Sequence, residues 1–131
     1  MSIRDELLTQ LNTNLSAHTA YSVSSELPFD SAGLPLYEKN MKTLYVDEDQ
    51  QEVSIHIPVL SADKIMQTET TVNAYLVTDA KNQPSDIETV IANVLIARTA
   101  ISNVIDVNSD VETEIDDDRI IYTFEYNFLK L

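Results

Sequence analysis

The sequence predicts an α+β fold: one mostly antiparallel sheet with two helices packed on it. Three observations carry this. Apolar residues recur at helical spacing over residues 2–15 and again over 87–101. Residues 42–60 and 104–129 each read as two strands around an acidic turn. Strands joined by short turns pair antiparallel. The order is helix, three or four strands, helix, two strands, within a single domain spanning 1–131.

The first helix covers residues 2–15. Ser2 can cap it, and Asp5 and Glu6 suit its positive N-terminal end. Ile3, Leu7, Leu8, Leu11 and Leu15 form its apolar stripe. Tyr21, Val23 and Ser25 alternate with polar residues and predict a short strand. A long loop follows at about 27–40, where Pro28, Gly33 and Pro35 break both helix and strand. Its Leu27, Phe29, Leu34, Leu36 and Tyr37 are apolar. Such a loop either packs back on its own domain or docks on a neighbouring subunit.

Residues 42–47 and 52–60 are expected to form a hairpin around Asp47–Gln51. Its return strand carries Val53, Ile55, Ile57 and Val59 on one face and Ser54, His56 and Pro58 on the other. Pro58 marks an edge or the strand's end. Residues 65–78 form a central strand, with Thr70, Val72, Ala74 and Leu76 on one side and Tyr75 and Val77 on the other. After a turn at Lys81–Pro84, Ser85-Asp86-Ile87-Glu88 reads as a capping box for a helix running to about Ala100. Ile87, Val90, Ile91, Val94, Leu95 and Ile101 form its buried stripe. Residues 104–115 and 119–129 make a hairpin around Asp116-Asp117-Asp118. The last strand places Ile120, Tyr122, Phe124, Tyr126 and Phe128 on one face. Ile121, Thr123, Glu125, Asn127 and Leu129 take the other. The aromatic row is expected to pack on the 85–98 helix.

Composition excludes several chemistries. The chain has 131 residues, one Gly, no Cys and two His. One glycine cannot build a phosphate-cradling loop. Without cysteine there is no disulfide framework, thiolate metal site or thiol nucleophile. His18 and His56 lie in no recognisable nucleophile context, so neither an enzyme nor a cofactor or metal is expected. No apolar run approaches the ~20 residues that span a bilayer, and Met1–Glu6 does not read as a signal peptide. Synthesis in the cytoplasm is the expectation.

Charge is the strongest compositional signal. Eight Lys and Arg stand against 22 Asp and Glu, a formal net charge of −14. Such a chain repels nucleic acid over a Debye length rather than gripping phosphates. Residues 106–118 contain Asp106, Asp110, Glu112, Glu114, Asp116, Asp117 and Asp118 and no base. Asp106, Asn108 and Asp110 match the start of a calcium loop, but Val111 stands where that loop turns on glycine. Asp47, Glu48, Asp49 and Glu52 form a second acidic tip. The two tips are expected to project to a common region, as a solvated surface or as the lining of an acidic pore.

Three segments carry a family likeness. The chain opens directly on the helix Ser2-Ile3-Arg4-Asp5-Glu6-Leu7-Leu8. Thr71-Val72-Asn73-Ala74-Tyr75-Leu76-Val77 leads through a turn into the Ser85–Arg98 helix. The last strand is Arg119-Ile120-Ile121-Tyr122-Thr123-Phe124-Glu125-Tyr126-Asn127-Phe128. Over most of its length the chain resembles the tail terminator, or tail completion, proteins of tailed bacteriophages. Phage neck and head–tail joining proteins share the same size and sheet-plus-helix content. The resemblance implies a virion protein at the tail–neck junction, forming a hexameric ring that caps the tail tube. Its partners would be the tube protein, the sheath protein of a contractile tail, and the neck connector, with DNA passing through unbound. Asp47, Glu48, Asp49, Asp116, Asp117 and Asp118 would then face the lumen. Leu27, Phe29, Leu34, Leu36 and Tyr37 would lie between subunits. The alternative is an acidic adaptor or DNA-mimic inhibitor bound to a basic protein.

Overall fold

The computed structural model describes residues 2–25, 42–48, 50–56, 65–102, 104, 106–116 and 118–130. Two helices and a single mixed sheet of six strands make up an α+β fold. Helix α1 (Ile3–Asn14) starts in a reciprocal capping box. Ser2 Oγ accepts from the Asp5 N–H at 3.1 Å, and Asp5 Oδ2 accepts from the Ser2 N–H at 3.4 Å. Ile3, Leu7, Leu11 and Leu15 are buried on one stripe, as their four-residue spacing dictates.

Strand β1 (Ser22–Ser24) pairs in parallel with β2 (Thr43–Val46). Parallel neighbours need a crossover of a dozen or more residues, and the sequence between Ser24 and Thr43 has that length. The expected intersubunit residues Leu27, Phe29, Leu34, Leu36 and Tyr37 fall there and lie outside the described residues.

Strand β3 (Gln50–His56) and strand β4 (Ile65–Asp79) correct the first expected hairpin. β2 and β3 do not pair with each other. Both run antiparallel to β4, one after the other along its fifteen residues. Val46 pairs with Ala74 and Gln50 with Thr71, so the chain advances four positions where β4 steps back three. The extra residue makes a β-bulge. Three hydrogen bonds fix it. The Asp47 N–H still reaches Asn73 O at 2.8 Å. Arg4 on α1 donates to the carbonyls of Asp47 at 2.8 Å and Val46 at 2.9 Å. These contacts hold the chain straight on along β4 where the acidic tetrad reads locally as a turn.

Helix α2 (Ile87–Ile96) continues into a 3-10 turn at Ala97–Ala100. The expected Ser85–Glu88 capping box is not formed. Asp86 occupies the N-cap position and makes no side-chain cap bond, because its carboxylate is engaged by His18 and Tyr21. Strands β5 (Asp106–Asp116) and β6 (Arg119–Lys130) form the second hairpin as expected. The sheet order is β1-β2-β4-β6-β5, with β3 also on β4, so β4 is central.

The core lies between the sheet and both helices. Val72, Ala74 and Leu76 of β4 alternate inward beside Tyr122, Phe124, Tyr126 and Phe128 of β6. They meet Leu7 and Leu11 of α1 and Val90 and Val94 of α2. Phe124, Tyr126 and Phe128 are fully buried. Tyr126 and Phe128 stack at 6.1 Å between centroids, and the Tyr126 hydroxyl donates to the Val94 carbonyl. The aromatic row therefore packs on α2 in the register its period predicts.

Candidate functional site

With both helices on one face, the other sheet face carries the odd residues of β4 and β6 and the even residues of β5. Its exposed carboxylates include Glu69, Asp106, Asp110, Glu112, Glu114 and Glu125. Arg119 is the only Lys or Arg among the described strand residues whose register places it on this face. Arg4 is turned to backbone carbonyls, as above. Arg98 donates to Leu95 O at 3.0 Å and Ser109 Oγ at 2.9 Å. Lys81 pairs with Asp118 at 3.3 Å, both well exposed, and such a pair contributes ~0–1 kcal/mol.

Like charges stand directly opposite on this face. Asp110 pairs with Glu125 across β5 and β6, with Glu112 one step along. Opposed at ~5.5 Å in water, two carboxylates repel by roughly 0.7 kcal/mol. Beside them runs an uncharged row in register: Asn108, Asn127, Thr71 and Gln50. Asn127 Nδ2 donates to Asn108 Oδ1 at 3.1 Å and Glu125 Oε1 at 2.9 Å, and its Oδ1 accepts from Thr71 at 2.8 Å. A depression of about 150 Å³ opens at this end, lined by Glu69, Asp106, Asn108, Asn127 and Leu129 among others. Its polar groups favour cations and hydrogen-bond donors.

The two acidic tips do not meet. Asp47 and Glu48 sit at the bulge beside Asn73. Asp116 ends β5, and the carbonyl of Asp118 accepts from the Ala80 N–H, just past the end of β4. From Asn73 to Asp79 is six strand steps, about 20 Å. The expectation of two tips at a common place is thus corrected: one tip is a mid-sheet bulge, the other the hairpin end. Asp49 and Asp117 lie outside the described residues. The face carries two acids outside the two acidic segments: Glu69, not singled out from the sequence, and Glu125, which the sequence places on the outer face of the last strand. Their parity opposite Thr70 and Phe124 was the available signal.

Asp106, Asn108 and Asp110 alternate along an extended strand, so they spread over ~13 Å rather than converge on one ion. Among the described residues, no cluster of three or more His, Cys, Asp or Glu is placed to hold a metal. The side chain of His56 lies outside the described residues.

A second polar cluster joins the turn after α1 to α2. His18 Nδ1 is 2.8 Å from Asp86 Oδ2, and the Tyr21 hydroxyl donates to Asp86 Oδ1 at 3.4 Å. His18 Nε2 is 3.2 Å from Asn93 Nδ2, a donor. The geometry fits a neutral imidazole that donates from Nδ1 and accepts at Nε2. The His18 hydrogen bond holds the Asp86 carboxyl below its ordinary range. Burial, then the Asp86 charge, pushes Tyr21 up to about 12. An Asp–His pair is present, but an amide occupies the place where a nucleophilic hydroxyl would accept help from Nε2. The cluster acts as a joint.

The class defined here is a two-layer α+β domain with helices on one sheet face and carboxylates on the other. The sequence matches no protein-family model and no curated protein.

Proposed function

We propose that this chain is a virion structural protein: a subunit of a hexameric ring that caps the phage tail tube and joins it to the neck. The single observation that carries the reading is the acidic sheet face. Among the described strand residues, six exposed carboxylates there face only Arg119 as a basic residue. Turned towards a channel, such a face lets DNA pass without sticking, because it repels phosphate. The β5–β6 end, with Asp116 and Asp118, would extend the acidic lining. The resemblance to tail terminator proteins supplies the ring. Its partners would be tube protein, connector and, in a contractile tail, sheath.

Native mass spectrometry of the protein alone and with tail tubes tests the assembly. A hexamer in either condition supports the ring, and a strict monomer in both overturns it. Charge reversal at Glu112 and Glu114 to Lys tests the lining. The variant ring should gain salt-sensitive DNA binding and slow DNA exit from the virion. A variant that assembles and infects like wild type removes the face from the channel.

A second reading has its own observation. Asp106, Asp110, Glu112 and Glu114 line one side of a single strand, a regular row of negative charge that a DNA-mimic adaptor would present to a basic protein. A stable one-to-one complex with a basic host protein, and no ring, would favour it.

A further inference from the structure

We propose that the outer edge of β5 is a docking edge for an extended protein segment in which Lys or Arg alternates with apolar residues. The inference does not depend on the ring reading. Asn73 O accepts from Asp47 N and Val77 O from Lys42 N, so the odd residues of β4 point towards β2. Its even residues therefore point towards β6. Carried through the registers, Val72 with Tyr126 and Tyr126 with Ser109, the alternation turns the N–H and C=O of Val107, Ser109, Val111, Thr113 and Ile115 away from β6. Among the described residues no strand pairs on that side. β5 is eleven residues long, so its open edge offers five outward peptide groups at a regular repeat.

The edge has two unlike flanks. On the helix side, Val107 and Val111 are only partly covered and Ile115 is 73% exposed. On the other side stand Asp106, Asp110, Glu112 and Glu114, with Glu125 behind them. A strand laid along β5 would set its own alternate residues beside these two rows. Apolar side chains would cover Val107, Val111 and Ile115. Cations would offset the repulsion between Asp110 and Glu125. An acidic or second β5 strand would add to that repulsion, which argues against self-pairing.

Two outward N–H groups are already engaged. Asp106 Oδ1 accepts from the Val107 N–H at 2.9 Å, and Asp110 Oδ1 from the Val111 N–H at 2.8 Å. A neutral strand would have to displace both carboxylates with no charge to receive them. A lysine or arginine on the incoming strand draws each carboxylate onto itself and releases the N–H to the new ladder. The edge thus favours cationic strands over neutral ones.

The test uses the full chain and three peptides of about ten residues, matched to the length of a strand: alternating Lys-Val, the same composition shuffled, and alternating Thr-Val. Amide exchange at Val107 and Val111 and calorimetric affinity are read together. Lys-Val should bind saturably, protect both amides, and exceed each of the other peptides by about tenfold or more in affinity. A double variant, Asp106→Ala with Asp110→Ala, should bind Thr-Val with amide protection and lose most of its preference for Lys-Val. Binding of Lys-Val without protection at these amides overturns the edge. Equal protection by the shuffled peptide overturns the alternation. Equal binding of Thr-Val to wild type overturns the role of the carboxylates.

Discussion

His18 Nδ1 lies 2.8 Å from Asp86 Oδ2, and this contact takes from α2 the carboxylate at its own N-cap position. The long-range joint replaces a local cap. Its pH dependence has a definite sign. The Asp86 carboxyl is held below its ordinary range by His18, so its contribution is present above the unfolded pKa of about 3.9 and is lost as pH falls through the folded value. Denaturant melts from neutral to acid pH should show Asp86→Asn declining less steeply than wild type at the acid end. Asp86→Ala should be less stable already at neutral pH. Variants whose melts overlay wild type throughout would show that the contact contributes nothing.

Tyr126 is a core residue with a polar end. Its hydroxyl donates to the Val94 carbonyl, tying β6 to α2 across the core. Tyr126→Phe keeps the ring and its stack on Phe128 but leaves a buried carbonyl without this donor. We expect a loss of ~1–3 kcal/mol. Equilibrium unfolding measures it, and amide exchange in the last turn of α2 should quicken.

The parts legible in the sequence were those set by local period. The aromatic row of β6, the Ile3-Leu7-Leu11 stripe and the alternation of β4 each appear with the inward and outward faces their spacing dictates. What escaped depended on partners far away in sequence. Asp47–Asp49 read as a turn because acids and amides favour turns locally. Arg4, more than forty positions earlier, binds the carbonyls of Val46 and Asp47 and keeps the chain on β4. Ser85–Glu88 read as a cap because nothing local reveals His18. The acidic face was half legible. The run at 106–118 was plain, but Glu69 and Glu125 joined it only once the registers were known.

Adjacent residues on β6 make a contrasting pair. Phe124 is fully buried and Glu125 is exposed opposite Asp110. Phe124→Ala should cost ~3–5 kcal/mol through lost burial and the cavity left behind. Glu125→Ala should be neutral or stabilising by ~0.2–1 kcal/mol, because it removes a like-charge neighbour. It also removes the acceptor for Asn127 Nδ2, an exposed bond whose loss water can offset. The size of the Glu125 effect should shrink towards zero in high salt. Melts of both variants at low and high salt test the register directly.

Among the described residues, three tyrosines resist ionisation in the folded chain. Burial pushes Tyr126 above its ordinary value, Tyr21 is pushed up to about 12, and Tyr75 is raised by burial and then by the Asp47 charge. In the unfolded chain each titrates near 10. Above that pH the unfolded state has released protons that the folded state still holds, so stability falls as pH rises. Denaturant midpoints should be flat up to about pH 9 and drop by about pH 11. Tyr21→Phe should make the drop shallower by removing one of the groups responsible. Tyrosinate absorbance gives an independent check. While the fold holds, the Tyr21 and Tyr126 signals should stay absent through pH 10, where an unfolded chain's tyrosines are half ionised. An absorbance curve in which every tyrosine titrates near 10 without loss of structure would place Tyr21 and Tyr126 at the surface.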